Sequence, residues 1–389
     1  MTPTLRIGAA GFGLIAVCYG FARFAFGLFL PRINEDISLS LTLAGVISGG
    51  AFAVYCVAIV ASARLSERLG PRRVAGAAAL IAAVGMLGIA LSSSAVRLAI
   101  FVVLAGISTG LASPPMADAV GQAVSPSHRD LTNTVINSGT SAGVVLSGSI
   151  ALWVGDDWRL VFMVFAGTAL VLAIMTFIAL PTSVDSVLSE KCGGMPPLQA
   201  NSLRLVAAAF LMGASSTALW SFGGVITSLR LGWSTEQAGL LWIAIGAGGV
   251  FGAAAGWLTS RLGINRAHRI SLVTLAASIG IVGLAFTTPF SVLIGGALFG
   301  AAYVMLTGVY LVWGTAALPD QPATGLMVGF LAIAVGQMVG APLFGLLMDH
   351  FSLQTAVVTF SLLCMTSGLF WFETGTLRDF RGDAAVGSG

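Results

Sequence analysis

Two ionisable residues lie well inside long apolar stretches of this 389-residue sequence. Arg23 is in the first stretch and Asp118 is in the fourth. Because a charge in hydrocarbon costs at least ~2.5 kcal/mol, each residue needs a partner, water or a function. A guanidinium binds carboxylates through charge-assisted hydrogen bonds, and a carboxyl group can take up and release a proton. Anion binding at Arg23 and proton coupling at Asp118 are therefore the chemistry that these residue types suit.

Each of these residues has a structural alternative. Arg23 is seven residues from Leu30, about 10 Å along a helix, so its side chain could instead reach the membrane surface. Asp118 follows two prolines, which cannot donate backbone hydrogen bonds and are expected to kink the helix. It could instead pair with Arg129 or with a loop amide. The different depths of Arg23 and Asp118 argue against a direct pair between them.

Further polar and aromatic side chains recur in the second half at three- and four-residue spacing, which places them on one face of a helix. They are Thr217, Trp220, Tyr303, Thr307 and Tyr310. Rings with polar tips suit an organic solute, but they suit an interfacial belt or a packed core equally well. Asn137 and Gln337 are expected to be buried amides that either join helices by hydrogen bonds or line a transport path.

The sequence offers no catalytic or metal-binding cluster. Its three histidines fall at the ends of apolar stretches without the spacing of catalytic partners, and its four cysteines show no paired spacing. No glycine-rich phosphate loop that ends in Lys-Ser or Lys-Thr occurs. We therefore expect no enzyme, no ATP-driven pump, no metal and no cofactor.

The elements that must position these residues are membrane helices. Hydrophobic residues make up 57% of the chain and charged residues 8%, which is too little polar surface for a water-soluble protein. Twelve stretches reach the length of about 20 residues that a span needs. They cover residues 7–30, 41–65, 74–93, 98–124, 132–154, 158–180, 203–228, 236–260, 269–288, 290–318, 324–347 and 353–372.

We thus predict an all-α membrane protein with twelve transmembrane helices in two six-helix bundles. The first bundle covers residues 1–180 and the second 203–372, with a cytoplasmic linker at 181–202 and a cytoplasmic tail at 373–389. Of the 18 Lys and Arg residues, thirteen fall on the side of the termini, four on the other side, and Arg23 lies within a span. Because basic loops stay in the cytoplasm, both termini are expected there, in a bacterial inner membrane.

One short basic motif occurs twice at an offset of 193 residues. It runs from Ala63 to Arg73 and returns from Gly256 to Arg266. A repeated turn of this kind indicates duplication of one folding unit, which is how many transporters are built.

Both copies resemble the signature of the major facilitator superfamily, which reads glycine, any residue, leucine, a small residue, aspartate, arginine, any residue, glycine and basic residues. In the first copy the matching residues are Leu65, Ser66, Arg68, Gly70, Arg72 and Arg73. In the second copy they are Gly256, Leu258, Thr259, Arg261, Gly263 and Arg266. Ala63 replaces the first glycine, Glu67 replaces the aspartate, and Ser260 stands at the acidic position of the second copy.

The resemblance implies alternating access between two bundles and a conformational role for the two turns. The residues that it implicates in this switch are Glu67, Arg68, Gly70, Arg72, Arg261 and Gly263. Glu67 can lie near a helix N-terminus or pair with arginine in one state and lose that contact in the other. The alternative is that the arginines only anchor the topology.

The resemblance also places the first, seventh and tenth spans beside a central cavity, with Tyr19 one turn from Arg23. We therefore expect a secondary active transporter that moves a small organic solute, anionic or carboxylate-bearing, with proton coupling. Its expected partners are the substrate, protons and the lipid bilayer, it is expected to be a monomer, and no nucleic acid is expected. The alternatives are an exporter of neutral or hydrophobic compounds and a nontransporting membrane sensor.

Overall fold

The computed structural model describes residues 2–181 and 199–373. The predicted linker lies outside the described residues except for its first residue and its last four. The predicted tail lies outside them except for Glu373.

Twelve consecutive helices cross the described part of the molecule, six in each half, so the predicted all-α fold class is confirmed. The N-terminal bundle consists of α1 (Thr4–Ile37), α2 (Leu41–Leu69), α3 (Pro71–Ala90), α4 (Ala95–Ala123), α5 (Pro126–Val154) and α6 (Trp158–Ala179). The C-terminal bundle consists of α7 (Ala200–Trp220, continued by Gly223–Leu231), α8 (Thr235–Leu262), α9 (Ile264–Gly283), α10 (Pro289–Ala317), α11 (Pro322–His350) and α12 (Leu353–Leu369).

Ten of the described helices are long and apolar enough on their own to cross a membrane. The other two are α9, whose first turns carry Arg266 and Arg269, and the shorter α12. Each predicted stretch overlaps one helix, but several helices extend further into polar sequence. For example, α1 continues past residue 30 to Ile37 because Asp36 accepts a 2.9 Å hydrogen bond from Trp158 Nε1 in α6.

The duplicated motif forms the same turn in both halves. Gly70 ends α2 with a φ of 81°, and Gly263 ends α8 with a φ of 78°. Glycine adopts positive φ without the steric strain that a side chain would add. The next helix begins at once, at Pro71 and at Ile264. The glycine in each copy of the motif is therefore required by the reversal of the chain.

The middle of α1, Ala16–Phe24, is a π-helix. Such segments are rare and often occur at functional sites, because the wider turn redirects side chains. Gly20 lies so close to Gly143 of α5 that a Cβ atom at either position would overlap the other helix's backbone. Packing against α5 thus fixes the segment that carries Arg23.

The two bundles pack on each other through two helix pairs that are equivalent in the duplicated chain. α2 packs on α11, and α5 packs on α8. Gly45 of α2 lies against the backbone of Ala341, and Gly148 of α5 lies against that of Gly239. Small residues permit this close approach where lipid supplies no hydrophobic drive for association.

We call the side on which the described chain begins and ends the terminal side. The two bundles are in contact from the helix ends on the opposite side to about the middle of the helices. Thr42 contacts Asp349 at the opposite end, and Gly249 meets Ser141 near the middle of α5. On the terminal half, the described residues show no hydrogen bond or close glycine contact between bundles. Beyond the middle, Tyr55 and Ile59 of α2 and Ala334 of α11 form one buried apolar cluster between the bundles.

Candidate functional site

Arg23 of α1 meets Gln337 of α11 where the two bundles face each other. The guanidinium Nη2 donates to the Gln337 Oε1 atom over 2.6 Å. The Gln337 Nε2 atom donates to the hydroxyl groups of Ser216 and Tyr303, over 3.3 and 3.2 Å. The amide therefore accepts from one bundle and donates within the other. We call these four residues the central polar group.

Four aromatic rings surround the guanidinium, and we call them the aromatic cage. The Cζ atom of Arg23 lies 4.3 Å from the ring centre of Tyr55, 4.8 Å from that of Phe52, 5.2 Å from that of Phe24 and 5.6 Å from that of Tyr19. Cations within about 6 Å of a ring centre are attracted by the ring quadrupole. The cage therefore stabilises the positive charge without neutralising it.

No carboxylate pairs with Arg23 in the described structure. The ion pairs between described residues are Arg32–Glu35, Arg159–Asp36 and Arg204–Glu373. The Nε atom of Arg23 is buried and has no hydrogen-bond partner. Charged side chains within membranes normally pair with an opposite charge or a polar group, or mark a substrate path. Arg23 thus presents an uncompensated charge and a free donor, which favour an anion.

Trp220 of α7 extends the aromatic surface into the C-terminal bundle. Its ring stacks on that of Phe24 with centroids 3.9 Å apart. It also meets the rings of Phe299 and Tyr303 edge-on, at 5.4 and 5.3 Å. The structure therefore brings five predicted substrate-binding residues into one contiguous group that spans both bundles. These residues are Tyr19, Arg23, Trp220, Tyr303 and Gln337.

Two predicted threonines direct their hydroxyl groups into their own helices. Thr217 donates to the carbonyl of Ala214 over 2.7 Å and is fully buried. Thr307 donates to the carbonyl of Val304 over 2.6 Å. A threonine hydroxyl commonly satisfies itself in this way within a helix. Neither hydroxyl contacts the central polar group.

Tyr310 lies in the core of the C-terminal bundle, which is one of the two alternatives for this residue. Its hydroxyl group contacts the Nε2 atom of His268 at 3.1 Å and donates to the carbonyl of Ala208 over 3.2 Å. The side chain is fully buried. Although Tyr303 and Tyr310 were expected to share a cavity face, the structure brings only Tyr303 to Arg23.

The expectation that Asn137 is a buried amide is wrong, because its side chain is exposed. α5 has two contact faces: Gly139 lies against Phe12 of α1, and Ser141 lies against Gly249 of α8. Asn137 lies on neither face. α5 therefore has a third face that contacts neither helix, and a polar residue on that face stays exposed.

Asp118 lies near Ser66 and Glu67 of the first motif turn, and the hydroxyl group of Ser66 is buried without a hydrogen-bond partner. Arg129, the alternative partner, instead donates to two backbone carbonyls near the end of α4, over 2.7 and 3.0 Å. A carboxyl group is a chemical type that can take up and release a proton. The arrangement can therefore hold and release a proton.

The prolines before Asp118 leave α4 unbroken from Ala95 to Ala123. Pro115 cannot donate to the carbonyl of Leu111, and the hydroxyl group of Ser62 in α2 donates to that oxygen over 3.3 Å. The released acceptor is therefore used to join α4 to α2.

The two motif turns form no ion pair between described residues. Glu67 and Arg68 are exposed. Arg72 donates to a backbone carbonyl of α6, and the Cζ atom of Arg261 lies 5.2 Å from the ring centre of Trp257. The contact expected of Glu67 in one state is therefore not made in this conformation.

Sequence reasoning did not identify Phe52, Tyr55 or Ser216 as site residues. For Tyr55 a signal existed, because the chain has only four tyrosines. A tyrosine in an apolar span needs a polar neighbour for its hydroxyl group. Tyr19, Tyr55 and Tyr303 all lie in the aromatic cage or the central polar group. Phe52 gave no such signal, because phenylalanine is common in this chain.

Asp349 at the end of α11 was also not identified. Its carboxylate accepts hydrogen bonds from the backbone N–H groups of Leu41 and Thr42, over 3.2 and 2.7 Å, and from the Thr42 hydroxyl over 2.7 Å. These N–H groups begin α2 and have no partner within that helix. The Asp349 contact thus joins the bundles on the opposite side through a carboxylate at a helix N-terminus.

Two six-helix bundles, a repeated turn and a site shared between the halves define a helical membrane transporter. The sequence model of the Major Facilitator Superfamily matches residues 12–334, and the chain belongs to this superfamily. It is therefore a multi-pass membrane transporter for small molecules and not an enzyme.

Individual relatives are distant. The hexuronate transporter of Bacillus subtilis (strain 168) is 26% identical over 359 residues, which cover 84% of each protein. The structure of the nucleoside transporter NupG has a TM-score of 0.76 at 11% identity and covers 95% of this chain and 98% of its own. The xylose transporter XylE from E. coli, in an inward open conformation, has a TM-score of 0.76 at 14% identity, with coverage of 96% and 97%. The structural likeness shows the fold.

Proposed function

We propose that this protein is a secondary active transporter that binds a carboxylate-bearing organic solute at Arg23. The observation that carries the proposal is the guanidinium between the bundles, which has no carboxylate partner among the described residues and a buried, unpaired Nε atom. A carboxylate would neutralise the charge of Arg23. It would accept hydrogen bonds from the unpaired Nε atom and from Nη2, which would then release Gln337. The uronate in the name of the B. subtilis relative also carries a carboxylate, which supports an anionic substrate.

The two bundles would then alternate around this site. Gln337 links Arg23 to the C-terminal bundle, so a solute bound there contacts both halves. The distribution of basic residues favours a cytoplasmic terminal side. We further propose that the protein acts as a monomer in a bacterial inner membrane.

Proton coupling is the proposed role of Asp118. Its carboxyl group shares the terminal end of the N-terminal bundle with Glu67. When this side closes, Glu67 would bind a helix N-terminus or an arginine, and the change in charge around Asp118 would alter its affinity for a proton. The turn residues Arg68, Gly70, Arg72, Arg261 and Gly263 would accompany this movement.

The aromatic cage also favours a second candidate, the transport of neutral hydrophobic compounds. Flux measurements in proteoliposomes distinguish the two. We expect carboxylates to exchange across the membrane with wild-type protein, with a response to an imposed pH gradient, and we expect Arg23→Ala to abolish the flux while the protein stays folded. Flux of neutral compounds that is unchanged in Arg23→Ala would support the second candidate, and binding without any flux would indicate a sensor.

A further inference from the structure

We infer that the substrate is a monocarboxylate with an apolar body rather than a sugar acid or a dicarboxylate. This inference rests on the proposed function, because it assumes that a carboxylate binds at Arg23. The argument comes from the charges, the surfaces and the hydrogen bonds that surround the guanidinium.

The charge around the site fits one negative charge. Arg23 is the only described basic residue in the middle of a helix at the bundle interface. No other described arginine contacts the central polar group or the aromatic cage. A second carboxylate on the solute would therefore be desolvated without a cation beside it, which is strongly unfavourable.

The surface around the charge is apolar. The rings of Phe52 and Tyr55 lie closest to the guanidinium, and Phe24 and Trp220 continue this surface toward the C-terminal bundle. An apolar body suits such a surface better than a polar one does. A sugar ring would instead place several hydroxyl groups against aromatic surface.

The nearby hydroxyl and amide groups have partners, whereas the Nε1 atom of Trp220 is a buried donor without one. The Tyr19 hydroxyl is hydrogen-bonded to the Ser113 hydroxyl at 3.0 Å. The Gln337 Nε2 atom donates to the hydroxyl groups of Ser216 and Tyr303. One hydroxyl group could accept from Trp220 Nε1, but the several hydroxyl groups of a sugar would have to break the existing bonds or remain unpaired, and sites reject ligands whose polar groups stay unpaired.

Gln337 also shows how the carboxylate would be received. Its Oε1 atom lies 2.6 Å from Nη2 of Arg23, where a carboxylate oxygen would lie. The amide oxygen therefore acts as a neutral stand-in, and a charged oxygen makes the stronger bond to the guanidinium. A permanent carboxylate at this position would compete with the solute.

The test measures thermal stabilisation of the purified full-length protein by five probes at millimolar concentrations. The probes are benzoate, cyclohexanecarboxylate, benzamide, glucuronate and succinate. We expect the first two to raise Tm in a concentration-dependent way. Glucuronate and succinate should need at least roughly tenfold higher concentrations, and benzamide, which keeps the ring but lacks the charge, should have no effect.

Three variants complete the test. Arg23→Gln and Gln337→Glu should each lose the benzoate response by roughly tenfold or more. Arg97→Gln is the matched control, because Arg97 is exposed and its guanidinium contacts Ser93, away from the aromatic cage. Its response should equal that of the wild type. If Arg23→Gln does not fold, the response of Gln337→Glu and the comparison of benzoate with benzamide still test whether a monocarboxylate binds at this site.

The possible failures are distinguishable. If glucuronate or succinate binds most tightly and Arg23→Gln abolishes that binding, the substrate class is overturned and the proposed function stands. Equal responses to benzoate and benzamide that survive Arg23→Gln would overturn both. The absence of any response to the three simple carboxylates, benzoate, cyclohexanecarboxylate and succinate, would also overturn the substrate class.

Discussion

Replacing Asp349 with Asn should release the contact that joins the bundles on the opposite side. The carboxylate accepts three hydrogen bonds at the start of α2, two from backbone N–H groups and one from Thr42. An asparagine oxygen is uncharged and accepts more weakly. The variant should therefore favour the conformation in which the opposite side is open.

The magnitude follows from the exposure of the site. Carboxylates at exposed helix N-termini contribute about 0.3–1 kcal/mol through the helix dipole, and asparagine, with one accepting side-chain oxygen instead of two, also loses at least one hydrogen bond, about 0.5–1.5 kcal/mol. Asp349 is exposed, so the larger values of buried charged pairs do not apply. We expect about 1–2 kcal/mol in total, which changes the ratio of closed to open molecules by roughly 5- to 30-fold.

Spin labels on Val96→Cys and Phe286→Cys, in a cysteine-free background, would measure this ratio. Both residues are exposed near the ends of helices on the opposite side, one in each bundle. Asp157→Asn is the matched control, because Asp157 caps α6 within the N-terminal bundle by accepting from the backbone N–H of Leu160 over 3.1 Å. The distance distribution should shift toward longer values in Asp349→Asn alone. An unchanged distribution in a folded Asp349→Asn protein would refute the reasoning.

Four further predictions concern coupling, packing and the core. Asp118→Asn should retain solute binding but lose the response of flux to a pH gradient, and an intact response would remove Asp118 from coupling. Gly148→Leu should force α5 and α8 apart, because a side chain there meets the backbone of Gly239 and the Trp242 side chain; labels across the opposite side should report opening. Gly167→Ala, where a Cβ atom meets nothing within 4 Å, should instead raise stability by about 0.5–1 kcal/mol, measured as Tm in detergent. Tyr310→Phe should lower stability by about 1–3 kcal/mol because it removes a buried hydroxyl from the His268 contact, while solute affinity stays unchanged; a loss of affinity would place Tyr310 in the binding site after all.

The fold could be predicted because its signals are local and repeated. Long apolar stretches predict helices in lipid, and the repeated turn fixes their pairing into two halves. Gly70 and Gly263 both adopt positive φ, as a duplicated turn requires. The boundaries were less predictable, because contacts such as the one between Asp36 and Trp158 extend a helix beyond its apolar part.

The site was predictable only in part. A charge in an apolar stretch drew attention to Arg23, but Gln337 becomes its partner through helix packing across 314 positions of sequence separation. Helical spacing placed Tyr303 and Tyr310 on one face, yet Tyr303 contacts Gln337 near the other bundle while Tyr310 contacts His268 in the core of its own bundle. Asp349 lies at a helix end, where sequence alone indicates a solvated carboxylate rather than a contact between bundles.

The most direct test of the central claim uses Cys56, a partly exposed residue of α2 that follows Tyr55, whose ring centre lies 4.3 Å from the Cζ atom of Arg23. In a protein whose other three cysteines are replaced, the rate of alkylation of Cys56 reports occupancy at that position. A saturating carboxylate substrate should slow the reaction at least roughly tenfold in this protein, and it should have no effect when Arg23→Gln is added. A carboxylate that is transported without protecting Cys56, or that protects it equally in Arg23→Gln, would contradict binding at Arg23.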